Sequence, residues 1–286
     1  MPSTTHTDSV HSSDGTKITF DRSGEGPSLV FVDGAFCTRS MGPGHTLAPA
    51  VSDRTTTFVY DRRGRGDSGD APNYQPNREI EDLASVIEAA GGSAYVFGHS
   101  SGAVLALEAA RAGLPMRGLI LYEPPLVVDN SRPPVATDFP ERMAGLATAG
   151  KRRAIVRAFM TEAIRAPRPV AVMMSIMPGG GRLAPIAHTV AYDATIMNPY
   201  QRGNPLAPDI GDAVRVPTLV VVGGKSPQWI QTGGEALAAL IPNSKFAQLP
   251  GQSHMVKAKA TAPVIAAFIA ETSSASSKPP SEGAGQ

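Results

Sequence analysis

The chain has 286 residues, with 26 Lys+Arg against 25 Asp+Glu and a net charge of +1. That balance excludes a polybasic nucleic-acid surface, and the length suits one large α/β domain or a core with an insertion. Its single cysteine, Cys37, excludes an intramolecular disulfide and fits a reducing compartment, and a place just after a strand favours burial over catalysis.

In chain order, residues 1–12 are rich in Ser, Thr and His and are expected to form a loose tail. They lack the basic and apolar regions of a signal peptide. No apolar run anywhere reaches the roughly 20 residues of a membrane span. A cytoplasmic protein with no membrane partner is expected. Short β-rich runs then alternate with helical patterns. Strands are predicted at Lys17–Asp21, Leu29–Val32, Thr57–Tyr60, Tyr95–Phe97, Leu119–Tyr122, Thr218–Val222 and Lys245–Leu249, and helices at Arg78–Ala90, Ala103–Ala112, Gly234–Leu240 and Ala262–Ala270. Three of the strands are continuously apolar, as strands buried on both faces are. This alternation implies an α/β fold with a doubly wound, mostly parallel sheet. From about Val127 to Pro208 the alternation stops, and Pro-rich links surround helical segments at Phe139–Ala149 and Arg152–Arg165. The expected organisation is a core of residues 13–127 and 209–271, a helical cap insertion at 128–208, and a disordered Ser/Pro/Gly-rich tail at 272–286.

Gly98-His99-Ser100-Ser101-Gly102 carries the most chemistry. A G-x-S-x-G match is weak alone, and an ordinary Gly-rich turn is the competing reading. Here the match follows an apolar strand and opens an Ala/Leu-rich helix, the context of a nucleophile elbow. The turn lifts the Ser100 hydroxyl above the sheet edge and sets the Ser101 amide at a helix N-terminus, where an oxyanion is stabilised. Serine needs a base, usually histidine oriented by a carboxylate. Of six histidines, His6 and His11 fall in the tail, His45 in an early loop and His188 in the cap; the His99 side chain is expected to leave the turn on another face. His254 remains, after the last strand, where sites occur in open α/β sheets.

Together with Val32-Asp33-Gly34-Ala35 and the loop from Tyr60 to Gly69, these residues resemble the α/β-hydrolase fold over roughly residues 15–127 and 210–270. The resemblance implies an oxyanion hole made by the Ser101 amide and an amide at Gly34 or Ala35, and a bracing role for Asp61 and Asp67. Asp33 departs from the common His-Gly start of that loop and disfavours an oxyanion unless its carboxylate points away. Many relatives place the triad acid shortly after the strand equivalent to Thr218–Val222, where this chain has Ser226. Glu123, one residue beyond the preceding strand, occupies the alternative acid position of some haloalkane dehalogenases and of zearalenone-type lactone hydrolases. The order Ser100, Glu123, His254 is thereby kept. Asp193 in the cap, or a Ser–His dyad, are the other possibilities. Ser100 argues against dehalogenation, which uses an aspartate nucleophile.

The expected chemistry is cleavage of an ester or lactone of a small, largely apolar molecule through an acyl-enzyme. Metal and organic cofactors are not required: there is no Cys/His cluster of ligand spacing and no G-x-G-x-x-G turn after a strand. Trp229, Tyr192 and Met174, the last from a Met-rich cap, are the expected substrate contacts, although cap methionines also serve simply to pack helices. Arg62, Arg63 and Arg65 read as loop braces or surface charges rather than anion clamps. A binding protein with little turnover, and a non-hydrolytic acyltransferase or cyclase, are the alternatives. The oligomeric state is not legible.

Overall fold

A computed structural model describes residues 4–72, 74–176 and 183–276, leaving out the side chains of Met174, Ile176, Ala275 and Ser276. Its centre is an eight-stranded sheet ordered β1-β2-β4-β3-β5-β6-β7-β8. The strands are β1 (His6–His11), β2 (Lys17–Ser23), β3 (Ser28–Val32), β4 (Thr56–Tyr60), β5 (Ala94–His99), β6 (Met116–Tyr122), β7 (Thr218–Gly223) and β8 (Ser244–Leu249). β1 and β2 pair antiparallel, β2 runs antiparallel to β4, and the remaining pairs are parallel.

Alternation along the central strands divides the interior into two cores. Val30, Val32, Val96, Leu119, Leu121 and Val220 face α2 (Pro76–Ala89), α3 (Ser101–Arg111) and α9 (Gln228–Leu240). Leu29, Phe31, Phe97, Ile120, Tyr122 and Val221 face α1 (Pro43–Val51) and α10 (Ala258–Ser276). Strands covered on both faces have no polar side to present, so their sequences read as unbroken apolar runs. Each such side chain removed from water contributes about 1.5–3 kcal/mol.

The register aligns the carboxyl ends. Val32 pairs with Gly98, His99 with Tyr122, and Tyr122 with Val221. Asp33, Ser100, Glu123 and Gly223 therefore leave the sheet along one rim. Between β6 and β7 the described residues contain helices and no strand: α4 (Phe139–Thr148), α5 (Arg152–Ala158) running into a π-helical turn (Phe159–Ala163), α6 (Arg168–Ile176), α7 (Val190–Met197) and α8 (Asp209–Ala213). They form the helical cap, with α7 lying against α3 and α4.

Both tails differ from expectation where they are described. Residues 6–11 are strand β1, not a loose segment; His-Thr-Asp-Ser-Val-His offers little to bury, and a six-residue ladder on β2 orders it instead. The last helix continues past residue 270, so residues 272–276 are helical; residues 277–286 of the expected tail lie outside the described part. Helix α1 was not anticipated either, because Pro43 and Pro49 punctuate its sequence. No helix among the described residues is long and apolar enough to cross a membrane.

Candidate active site

Ser100 sits between β5 and α3 at φ 56°, ψ −125°, a left-handed conformation that costs a non-glycine residue about 1–3 kcal/mol. The surroundings hold it there. Its amide donates to the Tyr122 carbonyl at 3.0 Å, and α3 packs so tightly against β3 that a Cβ at Gly102 would lie 2.1 Å from the Val32 carbonyl oxygen. The opposite strand end repeats the device. Glu123 has φ 48°, and its amide donates to the Val221 carbonyl at 2.8 Å.

The Glu123 carboxylate is fully buried, and both oxygens are engaged. Oε2 accepts from His254 Nδ1 at 2.8 Å; Oε1 accepts from the Gly223 amide at 2.7 Å and from the Ser226 hydroxyl. Ser226, at the position where many relatives carry an acid, here donates a hydrogen bond to the acid on the neighbouring strand. Two donors on one oxygen orient the other towards the imidazole and offset part of the cost of burying a charge.

The loop bearing His254 is clamped from below. Tyr122 donates its hydroxyl to the Ser253 carbonyl at 2.9 Å, and His99 Nε2 donates to the His254 carbonyl at 3.1 Å. The two imidazole rings lie 4.8 Å apart. His99 packs against the loop that bears His254. Burial, with His254 alongside, pushes its pKa down to about 3, so it acts as a neutral donor.

Gly34 approaches the elbow so closely that a Cβ there would meet the Ser100 Cβ at 2.9 Å. Arg65 donates to the Gly34 carbonyl at 2.6 Å and Arg62 to the Asp33 carbonyl at 3.3 Å, fixing the loop beside the serine. The Asp33 carboxylate turns to the start of α1 and accepts from the Gly44 amide at 3.0 and 3.1 Å. Burial pushes its pKa up to about 7, against the Gly44 N–H and the Arg65 and Arg62 charges. Phe36, at φ 60°, packs its ring edge-on against Phe159 of the cap. The Cys37 thiol is pushed up to about 12 by burial, the state of an unreactive thiol.

Asp193 is elsewhere employed. Its carboxylate accepts from Arg62 at 2.8 Å, from Arg65 at 2.7 Å and from the Ser101 hydroxyl at 2.7 Å, all fully buried. Burial alone would raise its pKa; Arg65 and Arg62 outweigh that and hold it below the ordinary range. Arg62 also forks onto Glu79, and Arg63 onto Asp82. The three arginines are braces, and Asp193 ties cap helix α7 to the elbow rather than orienting His254.

A cavity of about 120 Å³ opens beside the serine and is bounded by Ser100, Glu123 and His254. Its walls are apolar (Pro125, Phe159, Ile164, Met197, Trp229, Ile230), apart from Gln201. Trp229 lines it, with the Arg132 guanidinium 4.4 Å from its ring. Tyr192 does not. It stacks on Tyr74 at 3.9 Å, donates to Asp70 and faces a separate surface hollow with His188, because Asp70 and Tyr74 capture both its hydroxyl and its ring. The Met174 side chain lies outside the described part. Phe159, Ile164 and Gln201 gave no signal in the sequence, since cap residues meet the core only through folding; Met197 belonged to the Met-rich set. No group of three or more potential metal-ligating side chains occurs among the described residues.

Known proteins agree with this architecture. An alpha/beta hydrolase from Sphaerobacter thermophilus DSM 20745 is 45% identical, with a TM-score of 0.84 over 92% of this chain and 100% of that one. A thermophilic esterase from Thermogutta terrifontis shares the fold at 22% identity and a TM-score of 0.70, covering 93% of this chain and 99% of its own. A putative lipase from Acinetobacter baumannii AYE does so at 15% identity and a TM-score of 0.70, covering 95% and 93%. The family model described as "Alpha/beta hydrolase family" matches residues 29–263, a span that takes in the elbow, Glu123 and His254 alike. On that match and the 45% relative, the chain belongs to the alpha/beta hydrolase family.

Proposed function

We propose that the protein is a serine hydrolase of carboxylic esters or lactones, acting on a small, largely apolar substrate through an acyl-enzyme. The observation that carries this reading is the His254 Nδ1–Glu123 Oε2 hydrogen bond of 2.8 Å at the wall of the cavity that Ser100 also lines. With Nδ1 committed to the carboxylate, Nε2 is the free base. His254 takes the Ser100 proton as Oγ attacks the carbonyl carbon, and Glu123 stabilises the imidazolium. Amides of Ser101 and of Gly34 or Ala35 receive the oxyanion. As the tetrahedral intermediate collapses, the C–O bond to the alcohol breaks, and His254 protonates the departing alkoxide. Water, deprotonated by His254, then attacks the acyl-enzyme and releases the acid and Ser100. The Asp33 carboxylate, turned to α1, leaves the oxyanion position unopposed. Apolar walls and a volume of about 120 Å³ favour a short acyl or alcohol chain.

The test is a burst-phase assay with p-nitrophenyl acetate and butyrate on the wild type, Ser100→Ala and Glu123→Gln. A burst is expected that vanishes in Ser100→Ala, with kcat reduced about 10³–10⁴-fold in Glu123→Gln, as for triad acids generally. A folded wild type that shows no burst and resists a serine-directed phosphonate would instead be a binding protein.

A further inference from the structure

Among the described residues, Gln201 carries the one side-chain carbonyl oxygen, outside the proposed triad, that belongs to a residue bordering the cavity. It follows the 3₁₀ turn Asn198–Tyr200, where the cap rejoins the core, and its backbone is tied down on both sides. Its amide donates to Asn198 O at 3.2 Å, and its carbonyl accepts from Val135 N at 3.2 Å. Only 2% of the residue is exposed. The carboxamide is not free to turn, because Nε2 donates to the Pro125 carbonyl at 3.2 Å and the flipped amide would set two carbonyl oxygens against each other. Its Oε1 is left over. No donor among the described residues bonds to it, and Gln201 is one of the residues that border the cavity. An acceptor held rigidly in an apolar wall is a binding element, since a ligand that covers it without supplying a donor forfeits its hydration.

We propose that Gln201 selects the substrate: Oε1 accepts a hydrogen bond from a hydroxyl group on the ester or lactone, so the natural substrate is hydroxylated. The proposal rests on the cavity beside Ser100 being the substrate site. Apolar walls take the carbon chain, and Gln201 recognises the hydroxyl by the one interaction an alkyl group cannot make. Sites built around such an acceptor reject the analogue that lacks the donor far better than apolar pockets separate chain lengths.

Ser100→Ala protein, which cannot turn over, is titrated with methyl butyrate and with methyl 2-, 3- and 4-hydroxybutyrate. At least one hydroxylated ester should bind about tenfold tighter than butyrate, the value of one neutral hydrogen bond. Adding Gln201→Met should erase the ratio, which a merely structural role would leave in place. Equal binding of all four esters, no measurable binding of any, or a ratio that survives Gln201→Met overturns the proposal. Should Gln201→Met fold poorly, the side-chain amide resonance of Gln201 decides: it should move with the hydroxylated ester and stay with butyrate, and no difference overturns the proposal. Turnover by the wild type is read separately. A hydroxyl preference without turnover sinks the hydrolase reading alone, and turnover without the preference sinks the role of Gln201 alone.

Discussion

Replacing Ser226 with aspartate tests which strand carries the acid. The change exchanges a donor to Glu123 Oε1 for a second carboxylate, in a place where Ser226 is 5% exposed and Glu123 fully buried. Two charges about 4 Å apart repel by about 4 kcal/mol at an effective dielectric of 20. Escape by protonation at pH 7 costs about the same, since an ordinary aspartate titrates near 4. The lost charge-assisted hydrogen bond adds about 1.5–3 kcal/mol. The expected destabilisation is thus about 6 kcal/mol. With an unfolding entropy near 0.6 kcal/mol/K for a chain of 286 residues, the melting temperature should fall by about 10 °C. The folded pair retains a proton that the unfolded chain has released by pH 7. The variant should therefore match the wild type most closely below about pH 4 and lose stability as pH rises through the raised pKa of the pair. Calorimetry at pH 4.5 and 7.5, with p-nitrophenyl butyrate kinetics at pH 7.5, reads both effects, and kcat should fall. A tenfold or greater rise in kcat/KM would refute the reasoning, because it would mean that the position after β7 had been lacking an acid that catalysis needs.

Three further substitutions probe the supporting structure. Asp33 has its pKa raised from 3.8 to about 7, so the stability it contributes is complete below about pH 4 and lost as pH rises through 7. Asp33→Asn, which keeps an acceptor for Gly44, should flatten urea-derived stability between pH 5 and 8 by up to about 3 kcal/mol, and an unchanged slope would exclude Asp33 as its source. Asp193→Asn strands the charge of Arg65 in the interior and takes one of two acidic partners from Arg62, and should cost about 3–5 kcal/mol in urea unfolding. A loss below 1 kcal/mol would show that the arginines find other partners. Gly34→Ala drives a Cβ to 2.9 Å from that of Ser100 and should lower kcat about 100-fold with circular dichroism unchanged; full activity would mean the loop yields freely.

The core was legible because it obeys periodic rules. All seven expected strands exist, and the unbroken apolar runs of β3, β6 and β7 announced a sheet covered on both faces. The places of Ser100 and His254 just beyond strand ends were legible from the apolar runs that precede them. What failed depended on distance in sequence. Strand β1 is held by a backbone ladder, which has no side-chain signature. Ser226 read as a missing acid, and only the pairing of β6 with β7 reveals it as a donor to Glu123. Tyr192 read as a pocket aromatic, but its partners Asp70 and Tyr74 lie over a hundred residues earlier and draw it away. The carboxamide of Gln201 carried no pattern at all.

The buried meeting of Arg62 and Arg65 with Asp193 also constrains how such a protein diverges. Insertions between β6 and β7 are free to vary wherever they touch the core through apolar surface, because packing tolerates many side chains of similar volume. At α7 they are not, because the core guanidinium groups of Arg62 and Arg65 both bond the Asp193 carboxylate, and among the described residues Arg65 has no second acid. A cap transplanted from a relative, or one designed afresh, must bring an acid to that point or be accompanied by the loss of Arg65. Since Arg65 also holds the Gly34 carbonyl, the second route rebuilds the loop beside Ser100. Cap sequence and the loop beside Ser100 are thereby coupled through a residue that does not line the cavity.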